Sequence, residues 1–160
     1  VFTTPDFNKT EGTVCATRPF FVNGSLVEGL SMRFEAGEMV EFSAKAGAEA
    51  FRAHINTDIG AKRLGEVALV GIDSPVFQSG LVFEEILFDE NAACHIAIGA
   101  GFKFCIAESE RLNAEELEKT GCNDSAVHTD IMISSEQVSV RALLKNASEL
   151  ELIRDGKWVL

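Results

Sequence analysis

The sequence predicts an α+β fold: a single β-rich domain built on a largely antiparallel sheet with few helices. Three observations predict it. Apolar and polar residues alternate through the first third and again near the end. Turn dipeptides separate the alternating stretches at Asn23-Gly24, Ala36-Gly37 and Asp155-Gly156. Helical signals are confined to two short stretches. With 160 residues the chain is long enough to bury a real core, and no repeat or linker divides it.

Taken in order, residues 12–17 and 19–22 are strand-like, and Asn23-Gly24 suits a type I′ turn into a strand over 25–35. Ala36-Gly37 turns into another strand over 39–44. From 44 to 56 the period changes. Ala44, Ala48, Phe51 and Ile55 fall at i, i+4, i+7 and i+11, one face of a helix. His54 lies off that stripe and reads as a surface histidine. Three apolar runs follow, Glu66 to Ile72, Cys94 to Ala100 and Val127 to Ser134, each suited to a buried strand. Asn113 is placed to cap a short helix over 113–120. Residues 137–143 and 149–160 read as further strands, the second folded at Asp155-Gly156.

Composition removes some classes of function. Asp and Glu number 25 against 14 Lys and Arg, a formal net charge of −11, which argues against nucleic acid or an anionic membrane as partner. No apolar run approaches the roughly 18–20 residues that span a bilayer. The four cysteines, Cys15, Cys94, Cys105 and Cys122, lack zinc-finger spacing. They read as buried free thiols of a reducing compartment, hence a cytoplasmic protein. The chain opens Val1-Phe-Thr-Thr-Pro5, which reads as the interior of a longer protein.

The polar residues inside the three apolar runs carry the chemistry. Glu66 enters a buried strand, a costly place for a carboxylate unless a cation compensates it; a strand-end Glu turned to solvent is the plainer reading. His95 shares a sheet face with Ala97 and Gly99, whose small side chains leave room for a ligand; for this histidine taken alone, a satisfied core histidine is the plainer reading. In His128-Thr-Asp130, an imidazole and a carboxylate two residues apart share one strand face about 7 Å apart. They can reach one metal or two adjacent ones, or form a plain ion pair or a histidine oriented by its neighbour. Together, Glu66, His95, His128 and Asp130 are a nitrogen and oxygen donor set suited to Zn, Co or Mn, and to a catalytic more than a structural site.

Several segments resemble one family. Val1-Phe-Thr-Thr-Pro5, Glu28-Gly-Leu30, Arg63-Leu-Gly-Glu66-Val-Ala-Leu69, Leu87-Phe-Asp-Glu-Asn-Ala-Ala-Cys-His95-Ile-Ala97, His128-Thr-Asp130-Ile-Met-Ile133 and Gly156-Lys-Trp-Val-Leu160 are similar to the thermophilic metal-dependent aminopeptidases, the leucyl aminopeptidase type. The match runs through the whole chain and covers the C-terminal part of a family member. The resemblance implies that residues 1–160 are the C-terminal metal-binding, catalytic domain of an aminopeptidase without its N-terminal domain. It implies peptide substrates, two divalent metal ions (Zn, Co or Mn) and a homodimer when intact. Glu66, His95, His128 and Asp130 match four of five family metal ligands. The fifth, a Glu of a Pro-Thr-Glu-Glu segment, is expected immediately before Val1, as is a Glu acting as general base, so this fragment alone is expected to be inactive. The family's catalytic tyrosine, seven residues after the first histidine, is Phe102 here. A phenyl ring packs in the same way but has no hydroxyl to stabilise an oxyanion or pass a proton.

Two rival readings have distinct signatures. Cys94 with His128 and Asp130 supplies the residue types of a cysteine hydrolase, but no glycine-rich nucleophile turn surrounds Cys94. A non-catalytic structural, dimerisation or binding domain derived from the same family fits the missing ligand and Phe102.

Overall fold

The computed structural model describes residues 1–81, 83 and 85–160. Its strands are β1 (Phe2–Thr3), β2 (Gly12–Cys15), β3 (Phe20–Val22), β4 (Ser25–Val27), β5 (Ser31–Glu35), β6 (Glu38–Ser43), β7 (Leu64–Ala68), β8 (His95–Gly99), β9 (His128–Met132), β10 (Val140–Leu143), β11 (Glu149–Arg154) and β12 (Lys157–Trp158). Its helices are α1 (Ala48–His54), α2 (Pro75–Ser79), α3 (Ile86–Asp89) and α4 (Ala114–Lys119). The α+β, β-rich expectation holds. Every strand pairing among the described residues is antiparallel. The sheets run β1-β7-β8-β9, β2-β5-β6, β10-β11-β12 and β3-β4. Among the described residues no helix is long and apolar enough to cross a membrane.

The turns fall where the dipeptides place them. Asn23, Gly24, Ala36, Gly37, Asp155 and Gly156 all have positive φ, as type I′ geometry requires. Asn113 caps α4 through a full capping box: its side chain accepts from Glu116 N–H at 3.0 Å, and the Glu116 carboxylate accepts from Asn113 N–H at 2.8 Å.

Two expected elements change shape for long-range reasons. The strand over 25–35 divides at Glu28, which bridges to Ala46 instead of continuing its hairpin. That pairing also shortens α1. Lys45 and Ala46 N–H donate to Glu28 O, so helix begins only after Gly47 and leaves Ala44 outside.

The core lies on one face of the four-stranded sheet. Leu64, Ile96, Ile98 and Ile131 on that face join Phe20, Val22, Val27, Met32, Phe34, Met39, Phe51 and Ile55 in a single buried cluster. Phe51, fully buried, meets Phe20 and Phe42 edge-on at centroid distances of 6.3 and 5.1 Å. This packing fixes which residues of β7, β8 and β9 point the other way.

Two sequence expectations are corrected. The cysteines are all free, but Cys15 is exposed and Cys105 half-buried; only Cys94 and Cys122 are buried. His54 is not a surface residue. It is half-buried, its Nε2 lies 2.8 Å from Thr129 Oγ1, and burial lowers its pKa. Helical periodicity gave its angle on α1 but not the strand that covers it.

Candidate metal centre

The register of three strands collects the four polar residues. On β8 and β9, His95 lies opposite Met132, Ala97 opposite Asp130 and Gly99 opposite His128. On β7 and β8, Glu66 lies opposite Ala97 and Ala68 opposite His95. Residues directly opposite share a face, so Glu66, His95, His128 and Asp130 all stand on the face away from the core cluster.

Glu66 reaches that face through a bulge. Leu64 pairs with Ile98 and Glu66 with Ala97, two residues on β7 against one on β8. In a regular strand Leu64 and Glu66, two residues apart, would share a face; the bulge at Gly65 breaks that alternation. With it, Leu64 enters the core and Glu66 enters the site. A Cβ on Gly65 would sit 2.1 Å from Ala100 O, so only glycine fits. Gly99 has a backbone reason too: its φ is +99°, and a Cβ there would meet Val127 O at 2.0 Å. Close strand approach, rather than room for a ligand, accounts for this glycine.

The donors converge. His95 Nε2 lies 3.7 Å from Glu66 Oε1, His128 Nε2 lies 3.3 Å from Glu66 Oε2, and His128 Nε2 lies 3.4 Å from Asp130 Oδ1. Ligand atoms of Glu66, His95 and Asp130 all fall within 4.8 Å of one another, and His128 adjoins this group through both carboxylates. Glu66, His95 and Asp130 are only 4%, 3% and 9% exposed, so their polar atoms must be satisfied inside the protein. One is not: Asp130 Oδ1 is buried and makes no hydrogen bond, its 3.4 Å approach to His128 being a charge contact without an aligned proton.

Both imidazoles are oriented from behind. His95 Nδ1–H donates to Ala93 O at 3.1 Å and His128 Nδ1–H to Ala100 O at 2.8 Å, which leaves each Nε2 facing the carboxylates. Metal-ligating histidines are held in this way. The orphaned Asp130 oxygen, the inward Nε2 atoms and the donor types all fit a divalent cation. Glu66 turns one oxygen toward each imidazole, so it can serve one cation or lie between two.

Without a cation the cluster is an ion pair network. Burial favours the neutral form of Glu66, but its contacts with His128 and His95 prevail and hold its pKa down at about 2. Contacts with Asp130 and then Glu66 push His128 up to about 10 against the opposing effect of burial. His95 is also raised: burial acts against its charge, and Glu66 outweighs it.

Phe102 stands beside this cluster. Its ring centroid is 4.8 Å from that of His128, and it stacks on Phe104 at 5.1 Å and meets Phe2 edge-on at 5.5 Å. Thr4 anchors its backbone, with Phe102 N–H donating to Thr4 Oγ1 at 2.7 Å. Cys94 is elsewhere. Its Sγ lies 3.3 Å from Val70 N and 3.4 Å from Val70 O, turned to the β7 side and not to the histidines, so the cysteine-hydrolase arrangement is not formed.

Sequence reasoning missed three supporting residues. Gly65 makes the bulge. Asn123 is buried and donates to Gly60 O and Gly99 O at 2.8 and 2.6 Å, pinning the end of β8. Glu90 lies in the Asp-Glu-Asn part of the segment before His95, and its carboxyl feels the charges of all four cluster residues. Only Glu90 left a signal in the sequence, as an acidic residue inside the most distinctive segment.

Comparisons with known proteins show the family and the fold. The profile of the thermophilic metalloprotease (M29) family matches residues 1–158. Aminopeptidase T of Thermus aquaticus is 48% identical over 162 residues, covering 100% of this chain and 39% of that protein. Aminopeptidase 2 of Geobacillus stearothermophilus is 43% identical over 158 residues, covering 99% of this chain and 38% of that protein. The solved structure of wild-type AmpT from Thermus thermophilus matches with a TM-score of 0.90 at 45% identity, over 99% of this chain and 39% of that one. The chain thus spans about 39% of the length of these relatives.

Proposed function

The chain belongs to the thermophilic metalloprotease (M29) family, and from that membership we propose that it forms the metal-binding part of an aminopeptidase. The whole protein would remove N-terminal residues from peptides. The observation that carries this reading is the buried convergence of Glu66, His95, His128 and Asp130, with one carboxylate oxygen left unpaired. We carry over with it two divalent ions, of which Zn, Co or Mn suit the donors, a homodimeric assembly and a cytoplasmic location.

In this reading His95 and His128 each offer Nε2, and their backbone-bonded Nδ1 atoms keep the rings from turning away. Glu66 stays ionised at any physiological pH and sets the charge of the site. Asp130 offers its unpaired Oδ1 from β9, the strand that also carries His128. When bound, divalent cations supply Lewis-acid polarisation of a scissile carbonyl and acidify an attacking water. Phe102 takes the place of the family's tyrosine. Its ring forms an apolar wall against His128 but passes no proton, so any proton to the leaving amine must come from another group.

Phe102 also favours a second reading, a non-catalytic structural, dimerisation or binding domain. Peptide hydrolysis by the complete protein separates the two. Free leucine is expected to appear from Leu-Gly-Gly when Co²⁺ or Zn²⁺ is supplied, to stop on adding chelator, and not to appear from N-acetyl-Leu-Gly-Gly. Bound metal without any release of leucine would favour the second reading.

A further inference from the structure

Three phenyl rings stand beside the metal centre, and the four donors use none of them. Phe2 and Phe102, Phe102 and Phe104, and Phe2 and Phe104 form a closed trio with centroid distances of 5.5, 5.1 and 6.2 Å. Phe102 continues the trio onto His128, at 4.8 Å. Phe2 stands on the donors' own face of the sheet, opposite Ala68, which lies opposite His95. The rings are held in place from the backbone. Thr4 Oγ1 accepts from Phe102 N–H at 2.7 Å and donates to Phe102 O at 3.3 Å, and Cys105 N–H donates to that same carbonyl at 3.0 Å. Much of this fixed apolar surface still faces water: Phe2 is 48% and Phe104 71% exposed. Exposed aromatic surface that is already ordered binds at a low entropic cost. Exposure also rises in one direction across the site. His95, Glu66 and Asp130 are closed off, the His128 side chain is 26% exposed, and the rings beyond it are the most open.

We propose that the platform of Phe2, Phe102 and Phe104 receives a large apolar or aromatic side chain on the substrate's second residue, an inference that rests on the aminopeptidase reading above. A peptide has no chain before its first residue and all its remaining length after it. The first residue can therefore enter the closed side, whereas the second must lie toward the open side, where the rings are. The occupant follows from contiguity, because Phe2 shares the donors' face and Phe102 meets His128. An aromatic side chain there gains both buried area and the stacked or edge-on ring contacts that the trio itself shows. The platform would then select on the residue that becomes the new amino end, separately from any selection on the residue released.

Two hydrolysis-resistant ligands test this by calorimetry on the complete Co²⁺-loaded protein: leucyl-phenylalaninamide and leucyl-glycinamide, each with the peptide bond between its two residues reduced to a methylene-amine. Their first residues and backbones are identical. Wild type is expected to prefer the phenylalanine ligand by about tenfold or more. Phe104→Ala is expected to bind Co²⁺ and the glycine ligand as wild type does and to lose most of that preference, while Phe104→Leu retains part of it. An unchanged preference in Phe104→Ala would overturn the proposal, as would a wild type that binds both ligands alike. Equal weakening of both ligands in Phe104→Ala would make the ring a support for His128 and overturn it too. A lower unfolding temperature or a changed oligomeric state in Phe104→Ala, with the preference intact, would show instead that another part of the protein or a second copy covers the platform. A wild type that takes up no Co²⁺, or that binds neither ligand once loaded, would sink the aminopeptidase reading itself, and this inference with it.

Discussion

Replacing Gly65 by alanine is expected to weaken divalent-metal binding by about 10- to 100-fold and to lower stability by about 1–3 kcal/mol. The added methyl would sit 2.1 Å from Ala100 O and 2.5 Å from Gly99 O, far inside contact distance, so backbone must move. Ala100 O is the atom that holds His128 Nδ1, and Gly99 pairs with His128 across the sheet. Displacing them turns the imidazole and shifts a donor, although Gly65 touches no metal. The bulge also keeps Leu64 in the core and Glu66 in the site, so its loss strains both faces of the sheet together. Metal titration and thermal unfolding of Gly65→Ala check this. Wild-type affinity at wild-type stability would mean that the bulge does not position the ligands.

Metal binding at pH 7 is expected to release about one proton, with apparent affinity rising about tenfold per pH unit toward pH 10. The sign follows from His128. Asp130 and Glu66 raise its pKa to about 10 in the metal-free protein, so near neutrality Nε2 carries a proton that a cation must displace. His95, also raised, adds to the slope wherever it is protonated. Glu66 adds nothing there, because with a pKa of about 2 it is already ionised. The same shifts set the pH range of the metal-free fold. The stabilisation from His128 is fully present below its ordinary pKa of 6.5 and lost as pH rises through about 10. That from Glu66 is present above 4.5 and lost as pH falls through about 2. Calorimetric titrations in buffers of different ionisation enthalpy count the protons. An affinity that is flat from about pH 6 to 9 would show that His128 is neutral in the free site or is not a ligand.

Much of the site was legible because β-strands alternate. His-x-Asp in an apolar run puts two donors on one face, and the same parity puts His95 with Ala97; both hold in the register. Turn dipeptides and the Asn113 cap were legible because a few local backbone angles determine them. What escaped depends on partners distant in sequence. Parity alone gives Glu66 the same face as Leu64, and only the pairing with β8 reveals the bulge that separates them. β1 has just two residues, Phe2 and Thr3, and exists because Ala68 and Val67 pair with it. Periodicity puts His54 off the buried stripe of α1, but Thr129 of β9 meets its ring there, a partner distant in sequence. Gly99 invited a reading as ligand space, whereas its φ and the nearby Val127 O already demand glycine. Cys15 lies in an apolar-looking stretch, yet its strand sits at a sheet edge and leaves it exposed.

We propose that Glu66, His95, His128 and Asp130 form one metal centre. Calorimetric titration with Zn²⁺ or Co²⁺ tests it most directly, on the wild type beside Glu66→Gln, His95→Ala, His128→Ala and Asp130→Asn. Binding by the wild type that is lost or strongly weakened in all four variants is the predicted result. A wild type that takes up no metal even at about millimolar concentration, a free energy of roughly −4 kcal/mol, or variants that bind as the wild type does, would contradict it.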